Sequence, residues 1–269
     1  MKDKIGCAII TKDRESMFQT LYEGLPSDDL DEIVIVNDCE SAIPEENVDF
    51  RDMIHVGDCG SVGVCKAKNA ALLHLLSRDC DYIFIIEDDM KIISPDVWNA
   101  YIAASKATGI QHLIYSAHGP ANKNGISGGK LYPRTIIEYP DDVKIALYQH
   151  CVGAFCMYTR ESLECTGILD SRYYQSWDHV EHSYRLVKNG YAPAYWWWPD
   201  LANSTDYIQE QACSEQSSVI RKEQSWHDNM HRGMKLFKSK HGFTPVEVPD
   251  TPLDQVKQKL KQIYNSKHV

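Results

Sequence analysis

Short apolar runs alternate with amphipathic stretches over the first hundred residues. Ile5-Gly6-Cys7-Ala8-Ile9-Ile10 has the pattern of a buried strand, residues 14–24 of a short helix, and Ile33-Val34-Ile35-Val36 of a second strand. Ile54-His55-Val56 predicts a short third strand. Gly57 to Gly63 then forms a glycine-rich connection into a helix over 64–77, with Leu72, Leu73, Leu75 and Leu76 on its apolar face. Tyr82 to Ile86 follows as a strand. Strands and helices in this alternation predict a parallel sheet with crossover helices.

Between about 110 and 150 the periodicity weakens. Pro120, Asn124, Gly125, Gly128 and Gly129 mark a loop over 117–130, either a flexible lid over a site or an ordinary surface loop, flanked by short strands. Cys151 to Tyr158 is apolar, and Thr159-Arg160-Glu161-Ser162 opens a helix. Asp178 to Asn189 predicts a helix with Val180, Tyr184 and Val187 near one face and Gly190 at the capping position. Tyr191 to Trp198 predicts an aromatic strand closed by Pro199. A last helix over 252–265 puts Leu253, Val256, Leu260 and Ile263 on one stripe.

The strand over 82–86 ends in Glu87-Asp88-Asp89, which concentrates candidate chemistry. Adjacent carboxylates raise one another's cost of ionisation. A divalent cation removes that cost, and hard cations take oxygen ligands. The plainer alternative is an acidic turn. Strand carboxyl ends are also where ligands bind in α/β sheets.

Composition narrows the class. With 269 residues, 43% of them hydrophobic, and 15 Tyr and 6 Trp, the chain can bury a substantial core. No apolar run approaches the ~20 residues that span a bilayer. The N-terminal residues lack a signal peptide's apolar region, so a cytoplasmic location is expected. Nine cysteines without a CxxC pair suggest reduced thiols. Residues 1–150 carry a net −10 and residues 151–269 are neutral, although 232–269 alone carry +5. That balance argues against nonspecific nucleic-acid binding, while the basic end leaves contact with phosphates or an anionic membrane surface open.

Four features occur in order: Thr11-Lys12-Asp13-Arg14, Asn37-Asp38, Lys66-Ala67-Lys68-Asn69-Ala70-Ala71-Leu72, and Glu87-Asp88-Asp89. Gly153-Ala154 through Leu163, Gly167-Ile168-Leu169-Asp170, and Trp177-Asp178 through Gly190-Tyr191 extend the series. The order and spacing over residues 5–198 resemble the nucleotide-sugar glycosyltransferases of GT-A fold, closest to glycosyltransferase family 2. Asn37 stands where that pattern commonly has Asp, Lys68 where it has Arg, and Asp178-His179 where it has Glu-Asp.

The resemblance implies a GT-A domain over 1–200, with a nucleotide-sugar half at 1–110 and an acceptor half at 111–200. A helical extension over 201–269 would pack on or near the active site. It implies a nucleotide-sugar donor, UDP-linked by expectation, held by Thr11, Arg14, Asp38, Lys68 and Asp88. Mn2+ or Mg2+ would sit at Asp89, with His227 or His231 as a further ligand unless these are ordinary helix residues. Asp178 is the expected general base of an inverting transfer, or else a helix cap, with Glu181 as its substitute. Gly153, Ala154, Trp177 and Trp196 would face a carbohydrate or other hydroxyl acceptor, unless the tryptophans are core. A DNA acceptor of the kind bacteriophage enzymes glycosylate is a variant of this reading. A nucleotidyltransferase and a noncatalytic sugar-binding protein are the rivals. The absence of glycine from Thr11–Arg14 argues against the first, and the intact carboxylates argue against the second.

Overall fold

The alternation of apolar side chains in β1 (Ile5–Thr11) puts Ile5, Cys7 and Ile9 in one hydrophobic cluster and Ala8 and Ile10 in another. β4 (Tyr82–Glu87) divides in the same way, Phe84 and Ile86 against Ile83 and Ile85. Strands apolar on both faces belong in the middle of a helix-covered sheet, and these two lie there. The computed structural model describes residues 2–38, 52–56, 61–124, 129–211, 221 and 224–268. In it β1 pairs in parallel with β4 and with β2 (Glu32–Asn37), and β2 pairs in parallel with β3 (Asp52–His55). β9 (Phe155–Thr159) runs antiparallel on the other edge of β4, and β6 (His112–Ile114) pairs antiparallel with β9. The sheet order is β3-β2-β1-β4-β9-β6, the mixed, mostly parallel arrangement that the sequence pattern predicts.

Helices cover both faces. α1 (Glu15–Glu23), α3 (Val97–Thr108) and the last helix, α7 (Leu253–His268), contribute Phe18, Leu21, Trp98, Tyr101, Val256 and Leu260 to one cluster. α2 (Val64–Ser77), α4 (Arg160–Thr166), α5 (Asp178–Lys188) and α6 (Trp226–His241) contribute Leu72, Leu75, Leu163, Leu186 and Phe237 to the other. A three-stranded antiparallel sheet joins β7 (Thr135–Glu138), β8 (Lys144–Tyr148) and β10 (Trp198–Leu201). A two-stranded one joins β5 (Met90–Ile92) to β11 (Ile208–Glu210). Among the described residues, no helix is long and apolar enough to cross a membrane, and Cys7, Cys65, Cys80, Cys151, Cys156 and Cys165 are free thiols.

Several expectations change. The aromatic run 191–198 is not a strand: Trp196 has φ 67°, and only Trp198 enters β10. Pro199 sits inside that strand without loss because β10 is the edge of its sheet. A boundary after residue 200 therefore cuts β10, and β11 precedes the helices of the C-terminal segment. α6 escapes the sequence pattern because only Gly233 and Phe237 of its sixteen residues are buried. Gly57 to Gly60 of the glycine-rich connection, and residues 125–128 of the loop, lie outside the described residues.

Phe84 is fully buried, with its ring centroid 4.9 Å from Trp98 and 5.8 Å from Phe155. Phe84→Ala is expected to lower unfolding free energy by about 3–5 kcal/mol, read from the urea midpoint at constant slope.

Candidate active site

The sheet brings one set of chain ends together. β1 ends at Thr11, β2 leads into Asp38, and β4 ends at Glu87 before Asp88 and Asp89. Because β9 runs antiparallel to β4, Gly153 and Ala154 just before it arrive at the same edge, where the Glu87 N–H donates to the Ala154 carbonyl at 2.8 Å. Main-chain bonds from Asp38 N–H to Thr11 O and from Asp88 N–H to Ile10 O carry the register past the strand ends. Asp38 is buried and accepts hydrogen bonds from Ser61 Oγ (2.7 Å), Val62 N–H (2.7 Å) and Gly63 N–H (3.1 Å). It thereby fixes the entry to α2. Gly63 itself has φ 92°, and a Cβ there would meet the Tyr174 carbonyl at 2.5 Å.

Asp88 and Asp89 are both buried. Thr11 Oγ1 donates to Asp88 Oδ2 at 2.7 Å. The Arg14 guanidinium spans the pair, bonding Asp88 Oδ1 through Nη2 and Asp89 Oδ2 through Nη1 at 2.9 Å. His118 Nε2 lies 3.4 Å from the same Asp89 oxygen. The two acids are pushed apart. Burial, with Asp89 alongside, outweighs Arg14 and Thr11 and lifts Asp88 up to about 7. Burial also pushes Asp89 up, but His118 and Arg14 outweigh it and hold that carboxyl well below the usual carboxylate range.

Lys68 joins this edge to the helix that carries Asp178. Its side chain is 4% exposed, and Nζ reaches Glu87 Oε1 at 2.6 Å, the Gly153 carbonyl at 3.0 Å and Asp178 Oδ2 at 4.0 Å. Its ammonium is thus enclosed between two carboxylates and a carbonyl. Asp178 begins α5 and is 2% exposed. Burial pushes its carboxyl up, yet Lys68 and His179 outweigh that and keep it well below the ordinary value. It makes no side-chain cap. Its Oδ2 is buried with no hydrogen-bond partner among the described residues.

Other expected site residues take structural places. Glu181 is fully buried and accepts from Arg185 Nε (3.1 Å), Lys240 Nζ (2.7 Å) and His241 Nε2 (3.1 Å). Both oxygens are committed, so it pins α5 to α6 rather than standing in for Asp178. Trp196 donates from Nε1 to the Val248 carbonyl at 2.7 Å and anchors the segment before α7 instead of facing an acceptor. Trp177 is half-buried beside Asp178, its Nε1 on the Met230 carbonyl at 3.2 Å. A Cβ at position 233 would fall 2.7 Å from Trp177 Cδ1, which is why α6 has glycine there. His227 and His231 lie exposed on α6.

Two groups are new. His118 is one. The other is the segment at the end of β11, where Gln211 N–H donates to the Asp89 carbonyl at 2.7 Å and its Nε2 lies 2.9 Å from the carbonyls of Met17, Asp88 and Met90. Sequence spacing carries no signal for either, because both arrive from loops more than 25 residues away.

The site fits a divalent cation. Asp89 Oδ1 is buried with no hydrogen-bond partner among the described residues. A cation held there would complete its shell with phosphate and water oxygens.

Glu181→Gln is expected to lower stability by about 1–3 kcal/mol, because it removes a fully buried carboxylate from the half-buried Arg185 and Lys240. Calorimetric affinity for a nucleoside diphosphate with Mn2+ should stay within twofold of wild type.

No protein-family model matches the chain. An uncharacterized glycosyltransferase of Acanthamoeba polyphaga mimivirus is 26% identical over 233 residues, 81% of this chain and 85% of that protein. Residues 1–349 of S. aureus TarS, solved in complex with UDP-GlcNAc, match with a TM-score of 0.59 at 13% identity, over 98% of this chain and 72% of that fragment; the match spans 43% of the longer TarS chain. The mannosyltransferase PcManGT of Pyrobaculum calidifontis, solved with GDP-Man and Mn2+, matches with a TM-score of 0.54 at 13% identity, over 100% of this chain and 71% of that one. With its strand order and the placement of its carboxylates, the chain has the GT-A fold of the nucleotide-sugar glycosyltransferases.

Proposed function

We propose that this protein is a divalent-metal-dependent glycosyltransferase. It moves a sugar from a nucleoside-diphosphate sugar, with UDP the expected nucleotide, to an acceptor hydroxyl with inversion. The observation that carries this reading is Asp178: a buried, ionised carboxylate with an uncommitted oxygen, linked through Lys68 to the Glu87–Asp89 edge. A base that must be ionised at neutral pH needs such a counter-charge in a buried site.

On this reading residues 1–110 hold the donor and 111–200 face the acceptor. Asp178 Oδ2 takes the acceptor's hydroxyl proton. The acceptor oxygen bonds to the anomeric carbon as that carbon's bond to the diphosphate oxygen breaks on the opposite face, so the configuration inverts. A divalent cation held at Asp89 would neutralise charge gathering on the leaving diphosphate. Arg14 keeps the two aspartates oriented, and Thr11 and Asp38 set the floor against which the nucleoside lies. The half-exposed Trp177 ring beside Asp178 offers a stacking face for an acceptor sugar.

Asp178→Asn should lower kcat about 10²–10⁴-fold with donor-nucleotide affinity unchanged, and proton NMR of the wild-type product should show the anomeric configuration inverted. Retained configuration would refute the single-displacement reading. Lys68→Met should move the acid limb of the kcat profile upward by about one pH unit or more. The sign follows from the loss of a cation that favours the ionised base: Asp178 then protonates at higher pH, and the rate is lost earlier as pH falls. An unmoved limb would separate Lys68 from the base.

A further inference from the structure

We propose that His118 is a second protein ligand of the catalytic cation and sets the preference of this site for Mn2+ over Mg2+. The inference rests on the glycosyltransferase reading for the presence of a cation, but the ligand itself comes from the geometry of this chain. His118 Nε2 is buried with no hydrogen-bond partner among the described residues, as is Asp89 Oδ1. The imidazole stands 3.4 Å from Asp89 Oδ2, and Arg14 already donates to that oxygen. Two adjacent ligand atoms in an octahedral shell, each about 2.1 Å from the metal, lie about 3 Å apart. The imidazole nitrogen thus stands little more than an octahedral edge from the Asp89 carboxylate, whose other oxygen, Oδ1, is the one left without a hydrogen bond.

Both partners are held by one short piece of chain. Glu210 Oε2 accepts the Gly119 N–H at 2.6 Å, immediately after His118, and the next residue, Gln211, donates its N–H to the Asp89 carbonyl. On the other side of His118, the Ser116 N–H donates to Asp200 Oδ2 at 2.8 Å. Asp200 is fully buried and also accepts from Tyr101 Oη (2.7 Å) and Ser204 Oγ (2.8 Å). Supporting bonds of this kind pre-orient metal ligands. They leave His118 little freedom to turn away from Asp89.

An imidazole nitrogen is a borderline ligand. It suits Mn2+, Co2+ and other transition ions, whereas Mg2+ favours an all-oxygen shell. His118 therefore predicts a site that discriminates between the two ions.

The test is Mn2+ binding to the full chain with UDP, followed by electron paramagnetic resonance, with electron spin-echo modulation to detect a directly bonded nitrogen. Wild type should show 14N modulation from one imidazole. His118→Ala should lose that modulation and bind Mn2+ at least tenfold more weakly, while the exposed control His227→Ala keeps both. His118→Asp should restore binding and narrow the Mn2+ over Mg2+ preference at least fivefold. Nitrogen modulation that persists in His118→Ala, or Mn2+ binding to wild type without any nitrogen modulation, overturns the ligand assignment and leaves the glycosyltransferase reading standing. Wild type that binds no Mn2+ with or without UDP overturns both. If His118→Ala fails to fold, the loss of 14N modulation is read in His118→Asp, which also lacks the imidazole.

Discussion

Three carboxylates at the buried end of a central strand have to be balanced by positive charge, and much of the site follows from how that is done. Asp88 and Asp89 are buried and Glu87 is half-buried where they leave β4, so their repulsion is poorly screened. Arg14 reaches over from the start of α1 to Asp88 and Asp89, Lys68 rises from α2 to Glu87, and His118, protonated until a cation displaces its proton, comes from the loop after β6. Each compensating group is carried by a different element. The charge balance thus ties α1, α2 and the 116–119 loop to the edge of the sheet.

Lys68 gives this arrangement a functional direction. It is buried between Glu87 at the end of β4 and Asp178 at the head of α5, so one ammonium serves both carboxylates. Asn69, the next residue, exchanges two hydrogen bonds with the backbone of Leu169, at 2.9 and 3.0 Å, and holds the segment that leads toward α5 against α2. A second, separate charge cluster of Glu181, Arg185, Lys240 and His241 fastens α5 to α6. Two acids one helical turn apart on α5 thus do different work. Asp178 keeps an uncommitted oxygen next to a single distant cation, whereas Glu181 is saturated by three donors.

The parallel core was legible from the chain because β1, β2 and β4 are apolar on both faces and are separated by helices of the expected length. The carboxylate edge was legible for a related reason: polar residues that end apolar strands must lie at the same rim when the strands are parallel. Lys68 was legible as a cation at the rim, but spacing does not show which carboxylates it meets there. Trp196 and Glu181 were misplaced because their partners, Val248 and Lys240, belong to the C-terminal segment, whose packing has no periodic signature. His118 and Gln211 could not be found from sequence at all. Their placement depends on Asp200 and on the β5–β11 pairing, contacts that join residues about a hundred positions apart.

The most direct test of the account is calorimetric titration of UDP, GDP and CDP, each with and without Mn2+, into wild type and Asp89→Ala. The account predicts tight binding of one nucleotide, UDP by expectation, that requires Mn2+ and falls at least tenfold in Asp89→Ala. Binding of no nucleotide under any condition, or binding indifferent to both the metal and Asp89, would contradict it and reduce Glu87-Asp88-Asp89 to a charge-balanced structural turn.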